Sequence, residues 1–141
     1  MKGYNANELP EKTIEKYEQM VKNQIQPNNV TYLLIFKAYG ECVRLGKEKS
    51  VHIDVTKNNN IDENNLVIQT ALIDMYDKMG DVKRAEEIFT RILNRRNVVS
   101  FGAMMKCYNV NELPERTIEL YEEMIRKEIE PDNERYLYNT V

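Results

Sequence analysis

The side chains best suited to chemistry are few in this chain and widely scattered. It has two cysteines, Cys42 and Cys107, one histidine, His52, and two serines, Ser50 and Ser100. Neither cysteine belongs to a CxxC or a Cys/His cluster, so the spacing argues against a zinc site or a disulfide framework and predicts two small buried thiols. Zinc-dependent base deamination needs an HxE and a distant PCxxC, and neither string is present. The serines stand outside any nucleophile elbow, and no glycine-rich phosphate loop appears. His52 reads as a residue packed between helices. The pattern points away from an enzyme and calls for no metal or cofactor. Function must therefore rest on a surface.

Formal charge is −3 over 141 residues, with acidic and basic side chains interspersed, so there is no global basic field to draw the chain onto phosphate backbones. No run of about 18 apolar residues could span a membrane. No targeting peptide is visible, although Met1 falls inside a repeat rather than ahead of one.

The elements that would build such a surface are set by an internal repeat. Met1–Tyr32 returns as Met105–Tyr136, with 19 of 32 paired positions identical and all four prolines in register. A long match at a fixed offset marks an array of stacked units. Glu8-Leu9-Pro10 and Glu112-Leu113-Pro114 each open a helix, because proline loses nothing in a first turn and acidic residues suit the helix dipole there. The spacing predicts apolar stripes Ile14/Tyr17/Met20/Val21 and Ile118/Tyr121/Met124/Ile125. Val30 to about Cys42 reads as a helix buried on more than one side. Leu45–Lys57 would follow as its partner, weakened by Gly46 and ended by Asn58-Asn59-Asn60. Leu66–Met79, Val82–Leu93 and Val98–Asn109 are further helices, with Gly80 as a left-handed stop and Asp81 as the next cap. Tyr17, Tyr39, Tyr76, Tyr108 and Tyr121 fall at core spacing. No stretch alternates with a period of two, so the fold class is all-α, an α-solenoid of antiparallel helix-turn-helix repeats.

Aligned on their first helices, the complete units are 29–65, 66–97 and 98–132, preceded by a partial unit 1–28 and followed by the start of another at 133–141. Three lengths in rotation, with Val98-Val99-Ser100-Phe101 through Glu130-Pro131-Asp132 and with Ala71-Leu72-Ile73-Asp74-Met75-Tyr76 before Lys78-Met79-Gly80, resemble the standard and short repeats of the pentatricopeptide repeat family in its mixed-length subclass. Gly46–His52 resembles the second helix of its long repeat more loosely. The tetratricopeptide repeat is the nearest rival, but its Trp, Leu-Gly, Tyr order is absent.

That resemblance implies a right-handed superhelical segment of a longer array. It also implies a groove lined by first helices, in which each unit contacts one base of single-stranded RNA. The packing positions would be Val30, Val67 and Val99. The base-edge positions would be Leu33 with Asn65, Thr70 with Asn97, and Gly102 with Asp132. Thr70 and Asn97 can both donate and accept, and the family pattern makes their base a purine, adenine first. Leu33 has no polar atom and Gly102 no side chain, so those two units would read weakly. The resemblance further implies organellar RNA processing or editing, in a mitochondrion or another organelle, with RNA-processing proteins as further partners and no small-molecule substrate. A protein-interaction scaffold is the alternative, favoured by Asp74 and Asp77 as acidic groove residues. Unpartnered helices at Met1–Asn5 and Tyr136–Val141 would leave the piece marginally stable or prone to self-association.

Overall fold

The computed structural model describes residues 9–44 and 61–127, and these are all-helical, with no strand among them. The helices are α1 (Leu9–Lys22), α2 (Asn29–Arg44), α3 (Leu66–Lys78), α4 (Val82–Arg91), α5 (Val98–Val110) and α6 (Pro114–Arg126), with a 3-10 turn at Leu93–Arg95 between α4 and α5. Their ends follow local chemistry. Pro114 and Glu115 occupy the first turn of α6. Gly80 turns the chain after α3 at φ 72°, a conformation that only glycine adopts without a Cβ penalty. Asp81 then caps α4, its carboxylate accepting from Arg84 N at 3.1 Å.

The chain stacks in two layers. α2, α3 and α5 lie side by side in one row; α1 packs on α2, α4 on both α3 and α5, and α6 on α5. This is the helical-repeat arrangement expected of a solenoid. Large side chains fill the space between layers: Tyr39, Tyr76, Phe36, Ile35, Ile73 and Phe101 are all essentially buried. Each such aliphatic or aromatic side chain contributes about 1.5–3 kcal/mol by leaving water. Phe89 of α4 meets Phe101 of α5 edge to face, with centroids 5.3 Å apart. Both thiols are free and buried. α2 is buried on several sides, as its composition predicts, and its Gly40 has a specific reason. A Cβ there would stand 2.9 Å from Cδ of Lys78, whose stem lies across α2 while its ammonium reaches Glu41 at 3.6 Å.

The stripes expected on α1 and α6 are only partly inward. Ile14 and Met124 are buried, but Val21, Ile118 and Ile125 are 54%, 60% and 47% exposed. Thr13, and in α6 Leu120, face inward instead. Ile14 and Ile118 hold the same place in the repeated stretch; α1 packs on the helix that follows it, α2, while the stretch that follows α6 lies outside the described residues. The expected helix at 45–57 with His52, the end segments, and Asp132 lie outside the described residues.

Candidate functional site

The exposed side of the α2–α3–α5 row carries an open cleft of about 280 Å³. Leu33 of α2 closes one flank, and Val67, Thr70, Ala71 and Asp74 of α3 form the floor. Asn97 and Val99 at the start of α5 close the other flank. Five of the nine sequence-designated residues thus share one site: Leu33, Val67, Thr70, Asn97 and Val99. The site exists because residues three and four apart fall on one helix face, so Val67, Thr70 and Asp74 line up along α3.

Val67 and Val99 are 65% and 48% exposed. On an amphipathic helix whose other faces are filled, such β-branched residues are surplus to the core and free to meet a ligand. Thr70 is the opposite case: it is 8% exposed, and its hydroxyl has no hydrogen-bond partner among the described residues. Val30 shares the exposure of Val67 but stands outside the cleft. Gly102 is exposed as well, and a Cβ built on it would meet nothing within 4 Å.

The unit-final asparagines have a structural duty that the repeat pattern did not disclose. Asn97 is the N-cap of α5: its Oδ1 accepts from Ser100 N at 2.9 Å, while its own N–H donates to Ser100 Oγ at 2.9 Å, a reciprocal capping box. Asn65 caps α3 by accepting from Ile68 N at 3.1 Å. Asn28 does the same for α2, accepting from Thr31 N at 2.8 Å. The signal was in the sequence, since an asparagine immediately before an apolar-periodic stretch is a helix start. One consequence is chemical: one lone pair of Asn97 Oδ1 is engaged, whereas its Nδ2 amino group has no partner among the described residues and is the donor it offers a ligand.

Arg96 fixes the flank from which Asn97 projects. Its guanidinium lies 3.6 Å from the Phe89 ring centroid, donates to Phe89 O at 3.0 Å and pairs with Glu123 at 2.9 Å. Burial pulls its pKa below the ordinary value, although Glu123 opposes that. Around a cavity between α4 and α6 that Arg96 also lines, Glu86 accepts from Tyr108 Oη at 2.6 Å and pairs with Arg116, tying α4 to α6.

Asp74 and Asp77, expected together in the groove, separate. Asp74 lines the cleft, but Asp77 is only 4% exposed and turned toward α5, with Asn111 Nδ2 at 3.5 Å. Burial raises its pKa, the Asp74 charge adds to that, and Lys106 and Lys78 work against it. Lys37 and Lys106 are exposed and hold the same register on α2 and α5 that Asp74 holds on α3. Among the described residues no group of three His, Cys, Asp or Glu side chains could hold a metal ion, and no helix is long and apolar enough to cross a membrane.

Comparison with known proteins gives this architecture its relatives. A family model described as the PPR repeat matches residues 70–96 and 99–129. A pentatricopeptide repeat-containing protein of Arabidopsis thaliana is 34% identical over 130 residues, covering 92% of this chain and 24% of the relative. A second from the same plant, named chloroplastic, is 32% identical over 130 residues, covering 92% of this chain and 16% of its own length. A third, named putative and mitochondrial, is 30% identical over 131 residues, covering 93% and 21%. The chain thus spans about a quarter or less of the length of these relatives.

Proposed function

Because this chain belongs to the pentatricopeptide repeat family, we propose that it is a non-catalytic module whose α2–α3–α5 row binds single-stranded RNA, one base to a unit. The units are 29–65, 66–97 and 98–132. The observation that carries the reading is the cleft itself: a nearly buried Thr70 hydroxyl and the amino group of Asn97, neither with a partner among the described residues, stand with two exposed valines. Val67 and Val99 pack on the faces of a base, while Thr70 and Asn97 hydrogen-bond its edge, adenine by the family pattern. Gly102 and Leu33 give the neighbouring units no polar side chain at the equivalent place, so this part of the array holds RNA weakly. Net charge of −3 limits the phosphate contribution and makes the salt dependence shallow. The chloroplastic and mitochondrial names among the relatives support an organellar setting, in RNA processing or editing.

A titration at low salt against single-stranded and duplex RNA of one sequence tests this. Saturable binding of the single strand with weak or no binding of the duplex is expected; equal affinity for both, or for neither, counts against it. Asp74 in the cleft favours a second reading, a protein-interaction scaffold. In that case a protein partner would be recovered on this chain after RNase treatment and lost on Val67→Asp.

A further inference from the structure

Asp74 lies one helical turn beyond Thr70 on α3, and both line the cleft. The two differ in depth: Thr70 is more than nine-tenths buried on the floor, whereas Asp74 is only half-buried and so stands nearer the mouth. Asp74 makes no hydrogen bond or ion pair with any described residue, and neither does the Thr70 hydroxyl. At the same register on the flanking helices stand Lys37 and Lys106, both exposed and neither in an ion pair with a described residue. Along the row, one carboxylate is thus flanked by two ammonium groups, on the mouth side of the Thr70 hydroxyl.

We infer that the Asp74 carboxylate accepts a hydrogen bond from the ribose 2′-hydroxyl of the nucleotide whose base occupies this cleft, and so makes the site select RNA over DNA. This rests on the RNA-binding reading above. A base held at its edge by Thr70 and Asn97 turns its glycosidic bond, and with it the ribose, away from the floor and toward the mouth, where Asp74 stands. Residues four apart on a helix hold their Cβ atoms roughly 5–6 Å apart, close to the step from the hydrogen-bonding edge of a base to its sugar. An ionised carboxylate can only accept. Of the groups that a strand presents outside its base edges, the phosphate oxygens and the ribose ring oxygen also only accept. The 2′-hydroxyl is the one donor among them, and it is the group that separates RNA from DNA. The phosphates on either side of that ribose find counter-charges in Lys37 and Lys106 on the neighbouring helices. The contact is independent of which base is bound, since every ribonucleotide carries the same hydroxyl.

The test uses the full chain and a short oligouridine with one central adenosine, made with its sugars all ribose, all 2′-deoxyribose or all 2′-fluoro, and titrated by fluorescence anisotropy at low salt. The fluoro strand keeps a ribose-like pucker but has no hydroxyl to donate, so it separates the hydrogen bond from the shape of the sugar. The ratio of ribose to fluoro affinity should fall about tenfold in Asp74→Ala, the worth of a hydrogen bond to an ionised acceptor. It should fall only about threefold in Asp74→Asn, which keeps a neutral acceptor oxygen of about half that strength. The deoxy strand, which also lacks the hydroxyl, should show the same falls. If Asp74→Ala tightens or weakens all three strands equally, the carboxylate does not meet the 2′-hydroxyl and the inference is overturned, while the RNA-binding reading stands. If the wild-type chain binds none of the three, the RNA-binding reading itself falls and takes this one with it. Matching circular dichroism spectra establish that the variants remain folded.

Discussion

Asn97 stands at the junction of folding and recognition, and the two duties separate by substitution. Asn97→Ala removes Oδ1, leaving Ser100 N without its 2.9 Å partner, while Ser100 Oγ can still accept from the backbone N–H of residue 97. Loss of one N-cap acceptor costs about 1 kcal/mol. In a domain of this size that lowers Tm by about 4 °C. Asn97→Asp keeps an acceptor at the same place and adds negative charge at a helix N-terminus, so its Tm should equal or slightly exceed the wild type. Both variants lose the Nδ2 donor. Affinity for a single-stranded RNA carrying adenine should fall about fivefold in each, the worth of one neutral hydrogen bond, and further in the aspartate variant, which sets an acceptor against an acceptor. Thermal melts by circular dichroism and anisotropy titrations give the two quantities independently. If Asn97→Asp melts as low as Asn97→Ala, the cap assignment is wrong. If its RNA affinity is unchanged, the amino group is no part of the site.

Four further outcomes follow from the packing. Gly102→Ala should raise stability by about 0.5–1 kcal/mol, since the new methyl meets open space in a helix interior, whereas Gly40→Ala should gain less because Lys78 must move; chemical denaturation measures both. Burial pushes the Cys107 thiol and the Tyr108 hydroxyl up from 9.0 and 10.0 to about 12. The fold therefore favours their neutral forms, so this contribution is intact below pH 9 and lost as pH rises from about 9 to 12, seen as a falling Tm. Cys107 should also resist a disulfide reagent at pH 8 until the chain is denatured, and rapid labelling of the native chain would contradict its burial. Asp77 has a raised pKa, so its charged form opposes folding at neutral pH. Asp77→Asn should raise Tm at pH 7, and the gain should shrink as pH falls through the raised pKa of Asp77, because the wild-type carboxyl is then neutral in the fold.

What the sequence disclosed and what it hid divide along a physical line. Helix starts and stops were legible at Pro114, Gly80 and Asp81 because they depend on a few adjacent residues. Tyr39, Tyr76 and Tyr108 fell at core spacing and are buried. The apolar stripe of the repeated stretch is legible on α1, which packs on α2 and buries Ile14; the equivalent stretch after α6, beside Ile118, lies outside the described residues. Asp77 lies nearly a further turn along α3 from Asp74, where it is buried against α5 beside Asn111 rather than in the cleft. The family pattern drew attention to Asn97 as a reader and away from its cap. Asp74, one turn beyond Thr70, belongs to no reading position of that pattern; as an acidic groove residue it favours a protein scaffold, and the cleft sets it beside Thr70.

The central claim is that the cleft on the α2–α3–α5 row takes a base of single-stranded RNA through Thr70. Thr70→Val is the sharpest probe, because it replaces the hydroxyl with a methyl of nearly the same shape at a site where that hydroxyl has no partner among the described residues. Expected are an unchanged or slightly higher Tm and an affinity about fivefold weaker for an adenine-containing single strand. Wild-type affinity retained by Thr70→Val, or no measurable binding by the wild type at low salt, would contradict it.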